Sequence, residues 1–368
     1  MKIALVYDRV NKMGGAERVL MDLHRLYPEA PLYTLVHNEQ TAPWSKNFKI
    51  IPTFFNRIKF FRKHHEWLAP LAALAFETFD FRDFDVVISV TSAEAKSIIT
   101  RPETLHLCYC LTPTRYLWSG VEDYRRMIPL RPIFDLWLKG ARQADLIFAN
   151  RPDAYLSISK TVQKRIQTYY QKKSDLVYPA IDYEFFSKPH QHKKQDYYLV
   201  VNRLVPYKRT DIVIEAFNQL KRPLLVVGAG SDEDRLKKMA GDKIDFLGLV
   251  DDVKLRHLYA KAKALICPQE EDFGLTPLEA AATGTPTLAF AAGGYLETII
   301  GNDTGLFFEA QTKDAIISAV NRFEAGRHQI SAKHCKEQAA LFGRDRFTKA
   351  FSDKVNLLWQ QHQKTFMS

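Results

Sequence analysis

Short apolar runs alternate with amphipathic stretches along the whole chain, and this rhythm predicts its secondary structure. The runs are rich in Val, Ile, Leu and aromatic residues, which is typical of strands buried on both faces of a parallel sheet. In the first half, strands are predicted at residues 2–7, 31–36, 85–90, 105–110, 145–150 and 175–179. In the second half, they are predicted at residues 197–202, 223–228, 243–248, 264–269, 285–290 and 304–309.

Helical patterns lie between these runs, so the chain reads as successive βαβ units. The clearest helices are predicted over residues 16–27, 153–171 and 345–364. Strands that alternate with helices indicate a doubly wound α/β fold, in which helices cover both faces of a parallel sheet. Because such sheets bind ligands at the carboxyl ends of their strands, we expect the chemistry in the loops that follow strands.

The chain is too long for one ordinary core, and a polar segment divides it. It has 368 residues, of which 46% are hydrophobic, so two cores can be filled. Residues 181–196 are polar and basic and contain Pro189, which predicts a linker. We predict two Rossmann-like, doubly wound parallel-sheet domains facing across a cleft, at residues 1–182 and 183–344. A terminal helix at 345–368 would be placed to pack back on the N-terminal domain.

Charge and cysteine content narrow the class of protein. Lys and Arg number 52 against 42 Asp and Glu, a net charge of +10 that suggests phosphates, nucleic acid or an acidic membrane as partners. The four cysteines form no zinc-binding pattern, and free thiols fit a reducing cytosol. Residues 1–8 turn acidic too early for a signal peptide, and the apolar stretch 67–76 is half a membrane span. We expect a cytoplasmic protein, soluble or peripheral on the inner face of the cell membrane.

Two glycines follow the first predicted strand and open a helix. Gly14 and Gly15 would let backbone amides approach a ligand at a helix N-terminus, which favours an anion. The alternative is a turn that needs a left-handed glycine. The segment lacks a full GxGxxG pattern, so the loop alone does not decide between the two.

Two cations follow the first predicted strand of the second half. Arg203 and Lys208 stand five positions apart across a turn that contains a proline, so both can reach one anion, such as a diphosphate. The alternative is that they are solvated loop residues. After the next strand, Gly228 and Gly230 indicate a tight turn, and Ser231 is a candidate cap for the following helix.

Residues 270–279 read EEDFGLTPLE and place two acids at a strand-to-helix junction. Thr276 is a candidate N-cap, Pro277 suits the first helical position, and Glu279 would complete a capping box. Gly284 is placed to end the helix. On this interpretation Glu279 has a purely structural role.

The capping box leaves the residues before the helix unexplained. Gly274 frees the backbone where amides at the helix N-terminus point outwards, and Phe273 precedes it. Carboxylates such as Glu271 and Glu279 accept strongly from hydroxyl groups. Amides that bind phosphate, with a carboxylate on each side, suit a nucleotide sugar.

These motifs, in this order and spacing, resemble the retaining glycosyltransferases of family 4, which have the GT-B fold. The segments that carry the resemblance are GGAERV, NRLVPYK, EDFGLTPLEAAATGTP and GGYLET. Glu271 and Glu279 match the EX7E motif of that family. Segments 107–118, 148–166, 177–182 and 197–209 are most similar to bacterial mannosyltransferases that build O-antigen and exopolysaccharide units from GDP-mannose.

The resemblance implies a role for each matching residue. Arg203 and Lys208 would hold the donor diphosphate, and Glu271 would hold the sugar hydroxyls; these three are the candidate catalytic residues. Glu279 would hold the ribose hydroxyls. The other implied donor-binding residues are Phe273, Gly274, Leu275, Thr276, Gly14, Gly15 and Gly228. On the acceptor side, the implied residues are Arg115 and Tyr116.

The resemblance also implies the partners of the chain. The donor would be a nucleotide sugar, with GDP-mannose preferred, and the acceptor a polyprenyl-diphosphate-linked or other glycan in surface polysaccharide synthesis. Members of this family generally need no cofactor and no tightly bound metal ion, and we expect none here.

Two positions depart from the pattern of the family. Leu111 and Ser92 stand where histidines are expected, and such histidines are the usual candidates for contacts with the reacting sugar or acceptor. His106 is close in sequence, but it falls inside a predicted strand. We interpret it as a strand residue whose polar atoms are satisfied, with a shifted replacement as the alternative.

Residues 54–76 interleave phenylalanines with Arg and Lys. Aromatic residues beside cations can sit in a lipid headgroup layer, which predicts docking on an anionic membrane surface. The alternative is a solvated helix packed by its aromatic residues.

Three rival functions remain open at this stage. Nonhydrolysing sugar-nucleotide epimerases share the fold but need other acid–base groups, and a catalytically impaired nucleotide-sugar scaffold would explain the missing histidines. A nucleic-acid binder would explain the charge, but no binding module is recognisable in the sequence.

Overall fold

The computed structural model describes residues 1–64, 68–122, 125, 131–189, 193–326 and 330–367. The chain divides into two compact units. Unit 1 comprises Met1–Pro179 and Phe347–Ser368, and unit 2 comprises Ala180–Arg346.

Unit 1 contains a parallel sheet with the strand order β3-β2-β1-β4-β5-β6-β7. Its strands are β1 Ile3–Tyr7, β2 Leu32–Thr34, β3 Ile50–Pro52, β4 Val86–Thr91, β5 Leu105–Cys110, β6 Ala154–Ser157 and β7 Asp175–Leu176. The three central strands β1, β4 and β5 are buried along their whole length. This is what their continuous apolar runs predict for strands covered on both faces.

Helices connect these strands. In the described residues before unit 2, the α-helices with established bounds include α1 Gly15–Leu26, α2 Lys59–Lys63, α3 Ala69–Glu77, α4 Arg131–Phe148 and α5 Lys160–Tyr170. Short 3-10 turns occur at Pro43–Asn47, Phe54–Arg57 and Ala95–Ser97.

Two predicted elements of unit 1 are wrong, and both errors have a local cause. Residues 145–150, predicted as a strand, contain the end of α4, because a short apolar run does not distinguish a strand from a buried helix turn. Its buried Asp145 pairs with Lys96 at 2.6 Å. The predicted helix 153–171 begins instead with strand β6, and Ser159 then caps α5 by accepting from the Val162 amide at 3.0 Å.

Unit 2 contains a second parallel sheet with the order β10-β9-β8-β11-β12-β13. Its strands are β8 Tyr198–Val201, β9 Leu224–Val227, β10 Ile244–Gly248, β11 Leu265–Cys267, β12 Thr287–Phe290 and β13 Gly305–Phe308. All six strands predicted for the second half are confirmed. The helices are α6 Tyr183–Phe186, α7 Thr210–Leu220, α8 Glu233–Met239, α9 Asp252–Lys261, α10 Leu275–Ala282, α11 Tyr295–Thr298, α12 Lys313–Gly326 and α13 Ala332–Ala340.

The last helix, α14 Arg344–Met367, completes the core of unit 1. Phe347 and Phe351 lie against the ring of Tyr109 in β5, with centroid distances of 6.3 and 5.1 Å. Lys354 forms an ion pair with Asp175 at 3.2 Å. No helix in the described part of the chain is both long and apolar enough to cross a bilayer.

The strand order reverses once in each sheet. In unit 1 the reversal lies between β1 and β4, and in unit 2 it lies between β8 and β11. The connections that leave the two strands run to opposite sides at such a point, which opens a crevice beyond their carboxyl ends. The loops after β8 and β11 are the ones that carry the predicted donor residues.

Candidate functional site

The loops after β8 and β11 meet through an ion pair. Lys208 ends the 3-10 turn Pro206–Lys208, and its ammonium group contacts the Oε1 atom of Glu271. Both side chains are largely buried, with exposed fractions of 13% for Lys208 and 21% for Glu271. The structure therefore brings together two of the three candidate catalytic residues, which are 63 positions apart in sequence.

The third candidate lies on the same loop. Arg203 is exposed and donates a hydrogen bond to the hydroxyl of Tyr207. Its guanidinium carbon is 5.9 Å from the centre of the Tyr207 ring, and the Lys208 ammonium is 5.4 Å from the same centre. Both cations thus flank one aromatic ring, as cation–π contacts allow.

A buried amide that sequence reasoning missed joins these loops. Gln269 is 1% exposed and donates to Glu271 Oε1 at 2.9 Å. It also exchanges hydrogen bonds with the Asn202 side chain and contacts the hydroxyl of Tyr295 at 2.8 Å. Asn202 is the first residue after β8 and Gln269 is the second residue after β11, the two strands at the sheet reversal, and that position is the signal that could have identified them.

The turn before α10 departs from the predicted capping box. The N-cap is Gly274, which adopts a left-handed φ of 96°, so Thr276 and Pro277 lie inside the first turn. A Cβ at Gly274 would come within 2.8 Å of the Tyr295 ring, which requires glycine at this position. Because glycine has no side chain, the N-cap residue makes no side-chain hydrogen bond to the first backbone amides of α10. The amide of Leu275 is one of these.

Glu279 lies inside this helix rather than at its cap. Its side chain is buried and accepts a hydrogen bond from the Tyr259 hydroxyl at 3.1 Å. The capping-box interpretation of Glu279 is therefore wrong. As predicted, Gly284 follows the end of the helix, with a left-handed φ of 81°.

The GGYLET loop packs on the backbone of the EDFG turn. The Gly294 amide donates to the Glu271 carbonyl at 2.8 Å. A Cβ on Gly293 would overlap the Glu271 carbonyl oxygen, and one on Gly294 would overlap the backbone of Phe273. The glycine pair thus lets two backbones touch, and this contact fixes the position of Glu271.

Gly228 and Gly230 serve a similar purpose after β9. Gly228 has a φ of 133°, and a Cβ there would overlap the carbonyl of Asn202. Ser231 is not the cap of α8, because the N-cap position is occupied by Asp232, whose carboxylate binds Arg235 at 2.7 Å.

In unit 1, Gly14 and Gly15 stand at the start of α1, as predicted. Gly14 has a φ of −171°, which any residue adopts, so the alternative of a left-handed turn is wrong. The buried carboxylate of Glu17 lies beside Gly14 and accepts from the Tyr7 hydroxyl at 2.7 Å. An anion bound here would have to share the helix N-terminus with that carboxylate.

The acceptor-side candidates Arg115 and Tyr116 lie in the turns after β5. The Tyr116 hydroxyl donates to Glu94 at 2.5 Å, and Arg9 donates to the other oxygen of the same carboxylate at 2.7 Å. Burial and the Glu94 charge raise the pKa of Tyr116. Arg9 and Glu94 follow β1 and β4 at the reversal of this sheet, and sequence reasoning missed both.

Leu111 and Ser92, which stand where histidines were expected, differ in their surroundings. Leu111 is buried, and the Ser92 amide donates to Asp8 at 2.9 Å. His106 is fully buried within β5, where Nε2 pairs with Ser89 at 2.9 Å. Burial lowers the pKa of His106 to about 3, so the ring is neutral. Its Nδ1 has no hydrogen-bond partner among the described residues, so its polar atoms are only half satisfied.

The aromatic and basic segment 54–76 lies in unit 1, with residues 65–67 outside the described part. Its buried residues pack on the core, whereas Phe54, Ile58 and Phe60 are exposed. In the part of the chain that the structure describes, no group of three or more His, Cys, Asp and Glu side chains is arranged to hold a metal ion.

Comparison with known proteins identifies relatives of part of the chain. The sequence profile described as "Glycosyl transferases group 1" matches residues 182–342. The GDP-mannose-dependent alpha-(1-6)-phosphatidylinositol monomannoside mannosyltransferase of Mycobacterium tuberculosis is 32% identical over 138 residues, covering 33% of this chain and 36% of the relative. The lipopolysaccharide core biosynthesis mannosyltransferase LpcC of Rhizobium leguminosarum bv. viciae is 40% identical over 80 residues, 22% of each chain. The matches span about a third of the first relative and less of the second.

A solved structure resembles the chain over almost its whole length. Anabaena Alr3699/HepE in complex with UDP has a TM-score of 0.73 at 17% identity, covering 97% of this chain and 100% of that chain. At this identity the likeness speaks to the fold alone. Together with the two parallel sheets, it confirms the predicted fold class, GT-B.

Proposed function

We propose that the chain belongs, through residues 182–342, to the group 1 glycosyltransferases and that it transfers a hexose from a nucleotide sugar to an acceptor hydroxyl. The proposed donor is GDP-mannose, and the anomeric configuration is retained. The proposed acceptor is a lipid-linked saccharide of surface polysaccharide synthesis.

One observation carries the proposal. Lys208 and Glu271, on loops that leave adjacent parallel strands at the reversal of the sheet, meet as an ion pair beside Arg203 and Tyr207. Ligands of doubly wound sheets bind at this position. A cationic pair beside a carboxylate suits a ligand that carries both a diphosphate and sugar hydroxyls.

The charges suggest how the chain promotes transfer. As the bond between the anomeric carbon and the phosphate oxygen breaks, its electron pair goes to the leaving diphosphate. Arg203, Lys208 and the first amides of α10 would stabilise that negative charge, while Glu271 holds the sugar hydroxyls and Glu279 the ribose. Donors of this kind contribute roughly 10²–10³ in rate each.

The acceptor then needs no separate base. Its hydroxyl oxygen attacks the anomeric carbon on the face that the diphosphate leaves, and its proton passes to the leaving phosphate oxygen. The absence of histidines at Leu111 and Ser92 is compatible with this route. We assign acceptor recognition to unit 1, including Arg115 and Tyr116, and we assign docking on an anionic membrane to segment 54–76.

The relatives support mannose more than other sugars. The mycobacterial relative is named for GDP-mannose and LpcC for mannosyl transfer, whereas Alr3699/HepE was solved with UDP. A thermal-shift panel of GDP-, UDP- and ADP-sugars identifies the donor as the compound that raises the melting temperature of the chain. The true donor at about 100 times its Kd should add about 2.7 kcal/mol to the free energy of unfolding. A panel in which no compound raises the melting temperature would reject a nucleotide-sugar enzyme.

A second function, a nucleotide-sugar-binding scaffold without turnover, is favoured by one observation. Leu111 is buried and apolar where the resemblance leads us to expect a histidine. Release of nucleoside diphosphate from the donor that the panel identifies separates the two functions, because a scaffold binds the donor and releases none.

A further inference from the structure

We infer that Gln269 is a positioning residue that sets the carboxylate of Glu271 for the sugar of the donor; this inference deepens the proposed function and rests on it. Gln269 is 1% exposed, whereas most glutamines lie on protein surfaces. A polar group is buried at little cost only where its hydrogen bonds are made. The contacts of its amide therefore indicate its role.

The amide of Gln269 lies within hydrogen-bond distance of three polar side chains. Its Nε2 atom is 2.9 Å from Glu271 Oε1, 2.9 Å from Asn202 Oδ1 and 2.8 Å from the Tyr295 hydroxyl. Its Oε1 atom accepts from Asn202 Nδ2 at 3.2 Å. The network connects the ends of β8 and β11 with the start of α11, all within unit 2.

Counting protons shows which of these bonds is fixed. Nε2 carries two hydrogens and faces three acceptors, so it serves two of them at once. The Tyr295 hydroxyl can also act as a donor, whereas the Asn202 amide oxygen and the ionised carboxylate of Glu271 only accept. One Nε2 hydrogen is thus committed to Glu271, and a bond to a charged acceptor is the strongest of the three.

The position of Glu271 then has two anchors that a donor leaves intact. Its backbone is held by the Gly294 amide at 2.8 Å, and its side chain is held by Gln269. Lys208 also binds the carboxylate. In the proposed function, however, its ammonium group must donate some of its hydrogen bonds to the diphosphate instead. Gln269 is neutral, so a bound diphosphate attracts it less strongly than it attracts Lys208. Its hydrogen bond to Glu271 is therefore kept when the donor binds.

The test compares wild type with Gln269→Met, which keeps the length of the side chain and removes the amide. Calorimetry measures the Kd of GDP and of GDP-mannose, with UDP and UDP-glucose in parallel. In Gln269→Met we expect the sugar nucleotide to bind more weakly while the nucleoside diphosphate binds as in wild type. The ratio of the sugar-nucleotide Kd to the nucleoside-diphosphate Kd should therefore rise about five- to tenfold, which is the effect of one lost hydrogen bond. Gln338→Met is the matched control, because Gln338 is a buried glutamine of unit 2 whose amide binds the Thr298 carbonyl instead.

The outcomes separate this inference from the proposed function. An unchanged ratio in Gln269→Met overturns the positioning role, including the case in which both Kd values weaken equally, as a structural role predicts. A wild type that binds none of the four compounds overturns the proposed function and the inference with it. If Gln269→Met does not fold, Asn202→Ala removes the side chain that exchanges two hydrogen bonds with the amide of Gln269. A smaller rise of the ratio is then expected, and an unchanged ratio overturns the inference.

Discussion

Lys208 and Glu271 illustrate how single residues acquire meaning from the fold. Neither side chain is unusual in sequence, and a loop lysine is most often solvated. The structure buries most of both side chains and pairs them across two loops at the reversal of a parallel sheet. An ion pair in that position holds opposite charges where a ligand of the fold would bind.

Replacing Lys208 by Ala should lower the release of nucleoside diphosphate from the donor by roughly 10²–10³, because a preorganised donor to the leaving group is lost. The measurement is the initial rate of nucleoside diphosphate release under saturating donor. Lys238→Ala, on the exposed face of α8, is the control and should leave the rate unchanged. Turnover of Lys208→Ala near the wild-type rate would contradict the leaving-group mechanism.

His106 makes the stability of the chain depend on pH. Burial lowers the pKa of His106 from 6.5 to about 3. Between these two pH values, His106 binds a proton in the unfolded chain but stays neutral in the folded chain. The free energy of unfolding therefore falls as the pH is lowered from about 6.5 towards 3, by at most about 1.4 kcal/mol per pH unit from this group.

His106→Gln tests this dependence, because glutamine keeps a polar atom for Ser89 but does not titrate. Denaturant unfolding at pH 7.5, 6.5 and 5.5 should show a shallower loss of stability in the variant than in wild type. Equal slopes for both proteins would mean that the pKa of His106 is the same in the folded and the unfolded chain.

At the scale of elements, the apolar pattern predicted most of the sheets and failed where local signals competed. All six strands of unit 2 are predicted because each is a separate run bounded by glycine, proline or polar residues. Residues 145–150 form the end of a helix, since a short apolar run fits either structure. Strand β3 is only three residues long and was missed, and β6 was hidden in a helical pattern whose cap is Ser159.

The candidate site was predicted in part for a related reason. Glycines and charged residues after strands stand out in sequence, so the motif residues were found. Gln269 and Asn202 did not stand out, because their importance comes from contacts across 67 positions. Thr276 was predicted as the N-cap because threonine suits a cap by type, and this prediction was wrong. The structure explains the glycine at the cap by the left-handed φ of Gly274 and by the Tyr295 ring that a Cβ would meet.

Gly274→Ala should destabilise unit 2 more than Gly248→Ala does. Both glycines have left-handed φ values, and Ala there costs about 1–2 kcal/mol. Only at Gly274 does the new Cβ meet a side chain, the Tyr295 ring at 2.8 Å, which adds about 1–3 kcal/mol of overpacking. Denaturant unfolding of the two variants measures the difference, and equal losses would mean that the ring moves aside freely.

At the scale of the whole molecule, the proposed docking on an anionic membrane rests on the net charge of +10 and on exposed aromatic residues of unit 1. Lys59 lies between the exposed Ile58 and Phe60, and Arg62 follows in the same short helix. Cations beside an anionic bilayer contribute about 1 kcal/mol each, and this attraction falls as salt rises.

Vesicle flotation tests this proposal for segment 54–76. The chain should bind phosphatidylglycerol vesicles at low salt and be released by high salt, and the double variant Phe54→Ser with Phe60→Ser should bind much less. Leu249→Ser, at an exposed leucine of unit 2, is the control and should bind as wild type does. Binding that is absent, or insensitive to salt, would contradict electrostatic docking by this segment.

The most direct test of the central claim is a crystal structure of the chain with the donor that the thermal-shift panel identifies, GDP-mannose in the first instance. We expect the diphosphate to contact Arg203 and Lys208, the sugar hydroxyls to contact Glu271, and the ribose to contact Glu279. A nucleotide bound elsewhere, or a sugar that does not contact Glu271, would contradict the claim that the loops after β8 and β11 form the donor site.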